Sequence, residues 1–206
     1  MNILAIGAHP DDIEYGCGGI LSKFVGEKKN KIYFFVATEG EFGGKAGARI
    51  KEQEKAAKTL GVEKIFWGNF TDTRLVVGRE LIGSIETAIK ESNPDIILVN
   101  YIEDSHQDHR ALAESTVVAA RYSKKVLFYE DFTSNNFEPD IFVDIEPVIK
   151  KKERILRCHE SQIEREYPSG LDIMESVRAV ANFRGFQAKV KYAEGFRALR
   201  YLLEDF

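Results

Sequence analysis

The pattern that most limits the fold is a repeated alternation of short apolar runs with longer segments of helical period. Runs at 2–7, 31–38, 64–68, 95–100, 126–130 and 141–145 have the length of buried strands. Between them, 16–29, 48–60, 79–92 and 110–122 predict helices; in the second, Ala56, Ala57 and Leu60 form an apolar stripe and Gly61 a stop. Such alternation implies parallel strands joined by right-handed crossovers. The expected fold class is therefore α/β, a three-layer Rossmann-like sandwich with a mostly parallel central sheet of order 3-2-1-4-5-6. No repeat, low-complexity tract or Pro/Gly/Ser linker divides the 206 residues, so one domain is expected over 1–206.

That topology gives two segments their meaning. Gly7-Ala-His-Pro-Asp-Asp-Ile-Glu14 follows the first apolar run, and Asp104-Ser-His-Gln-Asp-His109 follows the fourth. In the expected order, strands 1 and 4 are neighbours, and the crevice opens between the loops that follow them. Three of the four histidines thus converge with several carboxylates. Unpaired buried carboxylates are costly, and a metal ion is the usual way to make such a cluster favourable. A catalytic zinc takes three protein ligands and keeps one position for water. His9, one of Asp11 and Asp12, and one of His106 and His109 supply such a set. The remaining carboxylate would face the water as general base. The remaining histidine would stand beside the reacting carbonyl as oxyanion donor and proton source for a leaving amine. Asp108 is expected to orient His106 or His109 from behind, and Glu14 to support the cluster from the next helical turn.

Composition removes other classes. The net charge of −4 argues against a nucleic-acid partner. The run Lys150-Lys-Lys-Glu-Arg154 is short and mixed, as on a solvated helix face. Cys17 and Cys158 have no CxxC spacing and read as reduced and structural, in a cytoplasmic protein. The opening residues lack a basic n-region, and no segment has the length of a membrane span, so a soluble chain is expected. A dinucleotide site would need Gly-x-Gly-x-x-Gly after the first strand, where this chain sets carboxylates instead. Gly16-Cys-Gly-Gly19 falls inside the first helix, where small residues serve close helix–sheet packing. A small-molecule partner is expected; a homo-oligomer is compatible with the sequence.

The segments His9-Pro-Asp-Asp-Ile-Glu14, His106-Gln-Asp-His109 and Arg49-Ile-Lys-Glu52 resemble the motifs of the PIG-L/LmbE-like zinc N-deacetylase family. The resemblance continues through His159-Glu-Ser-Gln162 and Tyr192-Ala-Glu-Gly-Phe196, and the stretch from Gly68 to Leu75 is similar to the family's Asp-x-x-Leu loop. It implies a Rossmann-like fold and removal of the N-acetyl group from an N-acetylglucosamine-containing small molecule, with metal-bound water attacking the amide carbonyl. It also implies Zn2+ on His9, Asp12 and His109, although the same donors suit other divalent transition metals. Asp11 becomes the general base and His106 the assisting histidine. Gln107 stands where the family usually has Pro. Arg49, opening a helix after the Gly-rich stretch 39–47, is expected to bind substrate. His159, beyond a helix over 147–158, reads as a helix-dipole partner or a pocket group. Glu194, a charge among apolar neighbours, implies a satisfied partner. The competing readings are a non-catalytic sugar- or nucleotide-binding Rossmann-like domain with a structural metal, and a nicotinamide-dependent oxidoreductase.

Overall fold

The computed structural model describes residues 1–25, 30–45 and 47–203. Among them run β1 (Asn2–Gly7), α1 (Asp12–Phe24), β2 (Lys31–Thr38), α2 (Ala48–Leu60), β3 (Lys64–Phe70), α3 (Arg79–Ser92), β4 (Ile96–Asn100) and α4 (Gln107–Ala119). Then follow β5 (Lys125–Tyr129), β6 (Ile141–Asp144), α5 (Ile149–Leu156), α6 (Glu160–Ile163), α7 (Ile173–Ala188) and β7 (Ala193–Tyr201). The strands make one sheet of order β3-β2-β1-β4-β5-β7-β6. Strands β1 to β5 pair in parallel, and β7 runs antiparallel to both β5 and β6.

The side-chain period of two along β1 divides the core into layers. Ile3 and Ala5 face α1, α2 and α5 through Ile13, Cys17, Leu60 and Ile155. Leu4 and Ile6 face α3 and α4 through Leu81, Ile85 and Leu112. The expected stripe of Ala56, Ala57 and Leu60 is buried. The three-layer α/β sandwich stands as the sequence implies, with one refinement. The expected order ends 5-6, but β7 inserts between β5 and β6. The four-residue β6 is only half-buried along its length, which suits an edge. The first four residues of β7 are buried, which suits the interior of the sheet.

Two helices begin earlier than their periodicity suggests. The first, expected over 16–29, starts at Asp12; residues 26–29 of that expectation lie outside the described residues. The fourth, expected over 110–122, starts at Gln107. In both cases the chain turns helical inside the donor segment, so chemistry-bearing side chains are carried on first helical turns.

Helix α1 is buried from Asp12 to Ser22, and its glycines make that depth accessible. A Cβ on Gly16 would lie 2.0 Å from Tyr129 Cδ2, and one on Gly19 would lie 2.7 Å from Glu194 Oε1. Glu194 accepts from Gly19 N at 2.6 Å and Ile20 N at 2.7 Å, and pairs with Lys152, whose ammonium also reaches Tyr15 O. The partner implied for Glu194 is therefore Lys152, and the ion pair ties α1, α5 and β7 together. Replacing Gly16 by Ala is expected to cost about 1–3 kcal/mol by overpacking against Tyr129. A calorimetric scan would read that as a fall of roughly 2–12 °C in Tm.

Candidate metal centre

The parallel register puts Ile6 beside Val99, so the loops leaving β1 and β4 emerge side by side. Asn100, the last residue of β4, links them: its Oδ1 accepts from Ala8 N at 3.2 Å and its Nδ2 donates to Asp12 Oδ2 at 3.2 Å. Asp12 Oδ2 also accepts from Ala8 N and His9 N at 2.9 and 3.0 Å, folding the first loop around its own carboxylate. Asn100 is absent from the sequence-derived site. Its amide side chain at a strand end is the only signal it carries there.

His9 and His109, about a hundred positions apart, meet at 3.3 Å between His9 Nδ1 and His109 Nε2. Asp12 Oδ2 lies 3.7 Å from the first nitrogen and 3.4 Å from the second. An ion with donor bonds of about 2.0–2.1 Å in tetrahedral geometry separates its donors by about 3.3–3.4 Å, so this triangle has the size of one coordination face. The opposite ring nitrogens are held by carboxylates. His9 Nε2 faces Asp72 Oδ1 at 3.1 Å and Asp108 Oδ2 at 3.3 Å; His109 Nδ1 faces Asp104 Oδ2 at 3.2 Å. Carboxylate behind imidazole is the arrangement that orients metal-binding histidines. Neighbouring donors also group as His9, His106 and His109, and as Asp12, His109 and Asp131. The site is thus a His/Asp cluster able to hold a metal ion.

Asp108 is fully buried, and its carboxylate also accepts from Thr73 N at 2.7 Å and Leu75 N at 3.2 Å. The expectation that it orients His106 or His109 is corrected: it backs His9, because the chain leaving β3 closes over it. Asp72 and Asp104 share this backing role, and Asp131 leaves the end of β5 toward Asp12 and His109. Asp104 opens the second donor segment and Asp72 the Asp-x-x-Leu stretch, but neither spacing says which ring it backs, and Asp131 carries no such signal.

Charges follow from these contacts. Burial alone would raise the Asp12 carboxyl, but His109 and His9 outweigh it and hold Asp12 well below the usual range. Burial disfavours charge on His109, yet Asp12 and Asp104 lift it to about 10. His9 is raised well above its ordinary value despite burial, through Asp108, Asp12 and Asp72. His106 is lowered by burial and by the neighbouring His9 and His109. Its Nδ1 caps α4 by accepting from Asp108 N at 3.2 Å, so the ring proton sits on Nε2 and that nitrogen is a donor. Asp131 is pushed well up by burial and by Asp12.

Asp11 caps α1 at φ 101°, ψ −28°, a conformation that costs a non-glycine residue about 1–3 kcal/mol. Burial raises its carboxyl, with Arg49 and His159 opposing. Arg49 Nη2 meets Asp11 Oδ1 at 3.0 Å and also Pro10 O, while Nη1 reaches Gly40 O at 3.3 Å. The expected substrate arginine does line the cleft, but two of its nitrogens are engaged with the protein. Glu14 points away from the donor triangle: Gln53 Nε2 donates to its Oε1 at 2.7 Å, and His159 Nε2 lies 3.3 Å from its Oε2. His159 is fully buried, so it partners Glu14 rather than the end of α5.

The donors floor a cleft of about 320 Å3 whose rim includes Phe42, Phe132 and Tyr167, within the size range of small-molecule sites. Among the described residues no helix is long and apolar enough to cross a membrane. A cleft at the switch point of a doubly wound sheet, floored by carboxylate-backed imidazoles, defines a hydrolase-like α/β protein with a metal-capable centre.

Comparison with known proteins narrows that class. A family model described as PIG-L, GlcNAc-PI de-N-acetylase, matches residues 4–120. The diacetylchitobiose deacetylase of Thermococcus kodakarensis is 30% identical, over 95% of this chain and 82% of its own length. The uncharacterized deacetylase YaiS of Escherichia coli is 35% identical, over 77% of this chain and 90% of its own. Among solved structures, N,N′-diacetylchitobiose deacetylase from Pyrococcus horikoshii has a TM-score of 0.80 at 26% identity, covering 96% of this chain and 83% of that one. The chain belongs to the PIG-L family, and with its named deacetylase relatives it is an amide hydrolase. This excludes the non-catalytic and oxidoreductase readings.

Metal uptake should displace protons, because coordinating imidazoles must be neutral. Both rings are raised in the metal-free protein, and His109, at about 10, carries its proton at pH 7.5. Adding Zn2+ at that pH in weak buffer should release at least about one proton per ion bound, from His109. Release well below one, read with a pH indicator, would contradict the charge assignment.

Proposed function

We propose that residues 1–206 form one zinc-dependent hydrolase domain that removes the N-acetyl group from an N-acetylglucosamine-containing small molecule. The observation that carries this reading is the triangle of His9 Nδ1, Asp12 Oδ2 and His109 Nε2, with edges of 3.3, 3.4 and 3.7 Å. Deacetylase relatives with N-acetylated glucosamine substrates in their names support the substrate class. His9, Asp12 and His109 would hold the ion; Asp108 and Asp131, which enter rival donor sets, do not line the cleft. Three donors rather than a closed set of four is the catalytic pattern. When bound, Zn2+ supplies Lewis-acid polarisation of the amide carbonyl and acidifies water; other divalent transition metals suit the same donors.

The remaining steps belong to side chains of this chain. Asp11 lines the cleft with an upward-shifted carboxyl, which suits a general base taking a proton from the attacking water. Arg49 keeps that carboxylate aimed, and its Nη atoms, rather than the buried Nε, would meet a substrate hydroxyl or anion. His106 is a neutral Nε2–H donor, fitted to stabilise the oxyanion of the tetrahedral intermediate and to pass its proton to the departing amine. Asp72, Asp104 and Asp108 hold the two ligand rings. Bond cleavage then leaves free amine and acetate. Two free, buried cysteines and the lack of a membrane-spanning helix among the described residues favour a cytoplasmic enzyme.

The test is acetate release from N,N′-diacetylchitobiose, N-acetylglucosamine and acetylglucosaminyl malate, with and without a chelator. Activity on at least one of them should vanish with chelator and return with Zn2+. Asp11→Asn should keep near-stoichiometric metal and lose about 10²–10⁴-fold in kcat. Turnover by Asp11→Asn at the unmodified rate would remove Asp11 from the mechanism.

A further inference from the structure

The peptide joining Pro10 to Asp11 is held at both ends of its plane by one helix. Arg49 Nη2 takes its carbonyl, Pro10 O, and Gln53 Oε1 accepts from its N–H, Asp11 N, at 3.3 Å. Residues 49 and 53 stand one turn apart on α2 and so share a face. Rotating this peptide is the direct way for Asp11 to leave φ 101°, and it would break both bonds at once. Strained conformations of this kind persist only where the surroundings over-determine them.

Gln53 cannot turn its amide over. It is completely buried, and its Nε2 donates to Glu14 Oε1 at 2.7 Å. Asp11 N–H can only donate, so the amide oxygen must face it and the NH2 end must face Glu14. His159, also fully buried, stands 3.3 Å from Glu14 Oε2 on its far side as an ion-pair neighbour without hydrogen-bond geometry. None of these three groups enters the chemistry described above.

We propose that Gln53 is a positioning residue for the deacetylation step: the buried chain His159–Glu14–Gln53 clamps the Pro10–Asp11 peptide and so aims the Asp11 carboxylate into the cleft. This rests on Asp11 being the general base. Only an amide at position 53 meets both neighbours. A carboxylate there faces Glu14 with like charge, and an apolar residue leaves a buried N–H and a buried carboxylate unanswered.

Gln53→Met keeps the volume and removes both bonds. With zinc-loaded protein and N,N′-diacetylchitobiose, kcat should fall about 10–100-fold from misplacement of the base, with KM within about twofold and metal content unchanged. The Asp11 amide proton, followed by 15N NMR, should exchange with solvent at least about tenfold faster, while amides in the middle of α1 keep their protection. Gln53→Glu should lose kcat similarly. The exchanged pair Glu14→Gln with Gln53→Glu restores the donor–acceptor order and should recover kcat to within about threefold of the original. Unchanged exchange at the Asp11 amide in Gln53→Met overturns the proposal, as does an exchanged pair no better than Gln53→Glu alone. Exchange at Asp11 needs no substrate, so it separates failure of the clamp from failure of the base, which full turnover by Asp11→Asn would report.

Discussion

Parallel pairing of β1 with β4 is the constraint on which the rest depends. Those two strands are neighbours only because the chain reverses its direction of winding between them, with β2 and β3 on one side and β5 on the other. The reversal leaves a gap above the strand ends that no crossover helix fills. Asn100 then closes the register chemically, since one side chain bonds both Ala8 N and Asp12. A shift of one residue in this pairing would carry His109 away from His9 and turn core side chains to the wrong face. Site geometry and core packing are thus specified by one interaction.

The electrostatics of the centre follow from a surplus of buried acid. Asp12, Asp72, Asp104, Asp108 and Asp131 are all buried around two imidazoles and lie close to one another. Without a cation this arrangement raises the proton affinity of His9, His109 and Asp131. A divalent ion between the same donors would meet the same surplus of acid with fixed positive charge. The backing carboxylates have a double use: they neutralise the rings before loading and orient them afterwards.

Much of this was legible in the residues. Alternation of apolar runs implied the parallel sheet, and the order of its first five strands placed two donor loops together. The insertion of β7 was not legible, because an antiparallel strand from the far end of the chain is admitted by packing of Ala193 and Phe196 rather than by any local pattern. His9, Asp12 and His109 stood out as a dense, mixed donor set at strand exits. Asp131 did not stand out, and Asp72 and Asp104, though inside motifs, could not be assigned to a ring, since an acid in a loop has the same sequence appearance whether it caps, turns or supports a histidine. The partner of Asp108 was misjudged for a related reason. Proximity along the chain pointed to His106 or His109, while the path of the loop after β3, which sets its true partner His9, leaves no trace in spacing.

The scattered motifs are better understood as pairs than as separate sites. Asp11 meets Arg49, Glu14 meets Gln53 and His159, and Glu194 meets Lys152. Glu52, one turn along α2 from Arg49, accepts from Ser161 N and Oγ, both at 2.7 Å. Three of these four pairings end on α1 or its cap, and the fourth fixes α2 against α6 so that Arg49 and Gln53 can reach that cap. A helix sunk into the core from its first turn leaves no water for Asp12 and Glu14 and only the cleft for Asp11, so each acid needs a protein partner. Those partners come from α2, the end of β4, α4 and the residue before α6, elements distributed over most of the chain. Exposing the start of α1 would remove the need for them and would also dissolve the geometry of the base. Burial of that helix is therefore what couples residues so distant in sequence to the Asp11 carboxylate.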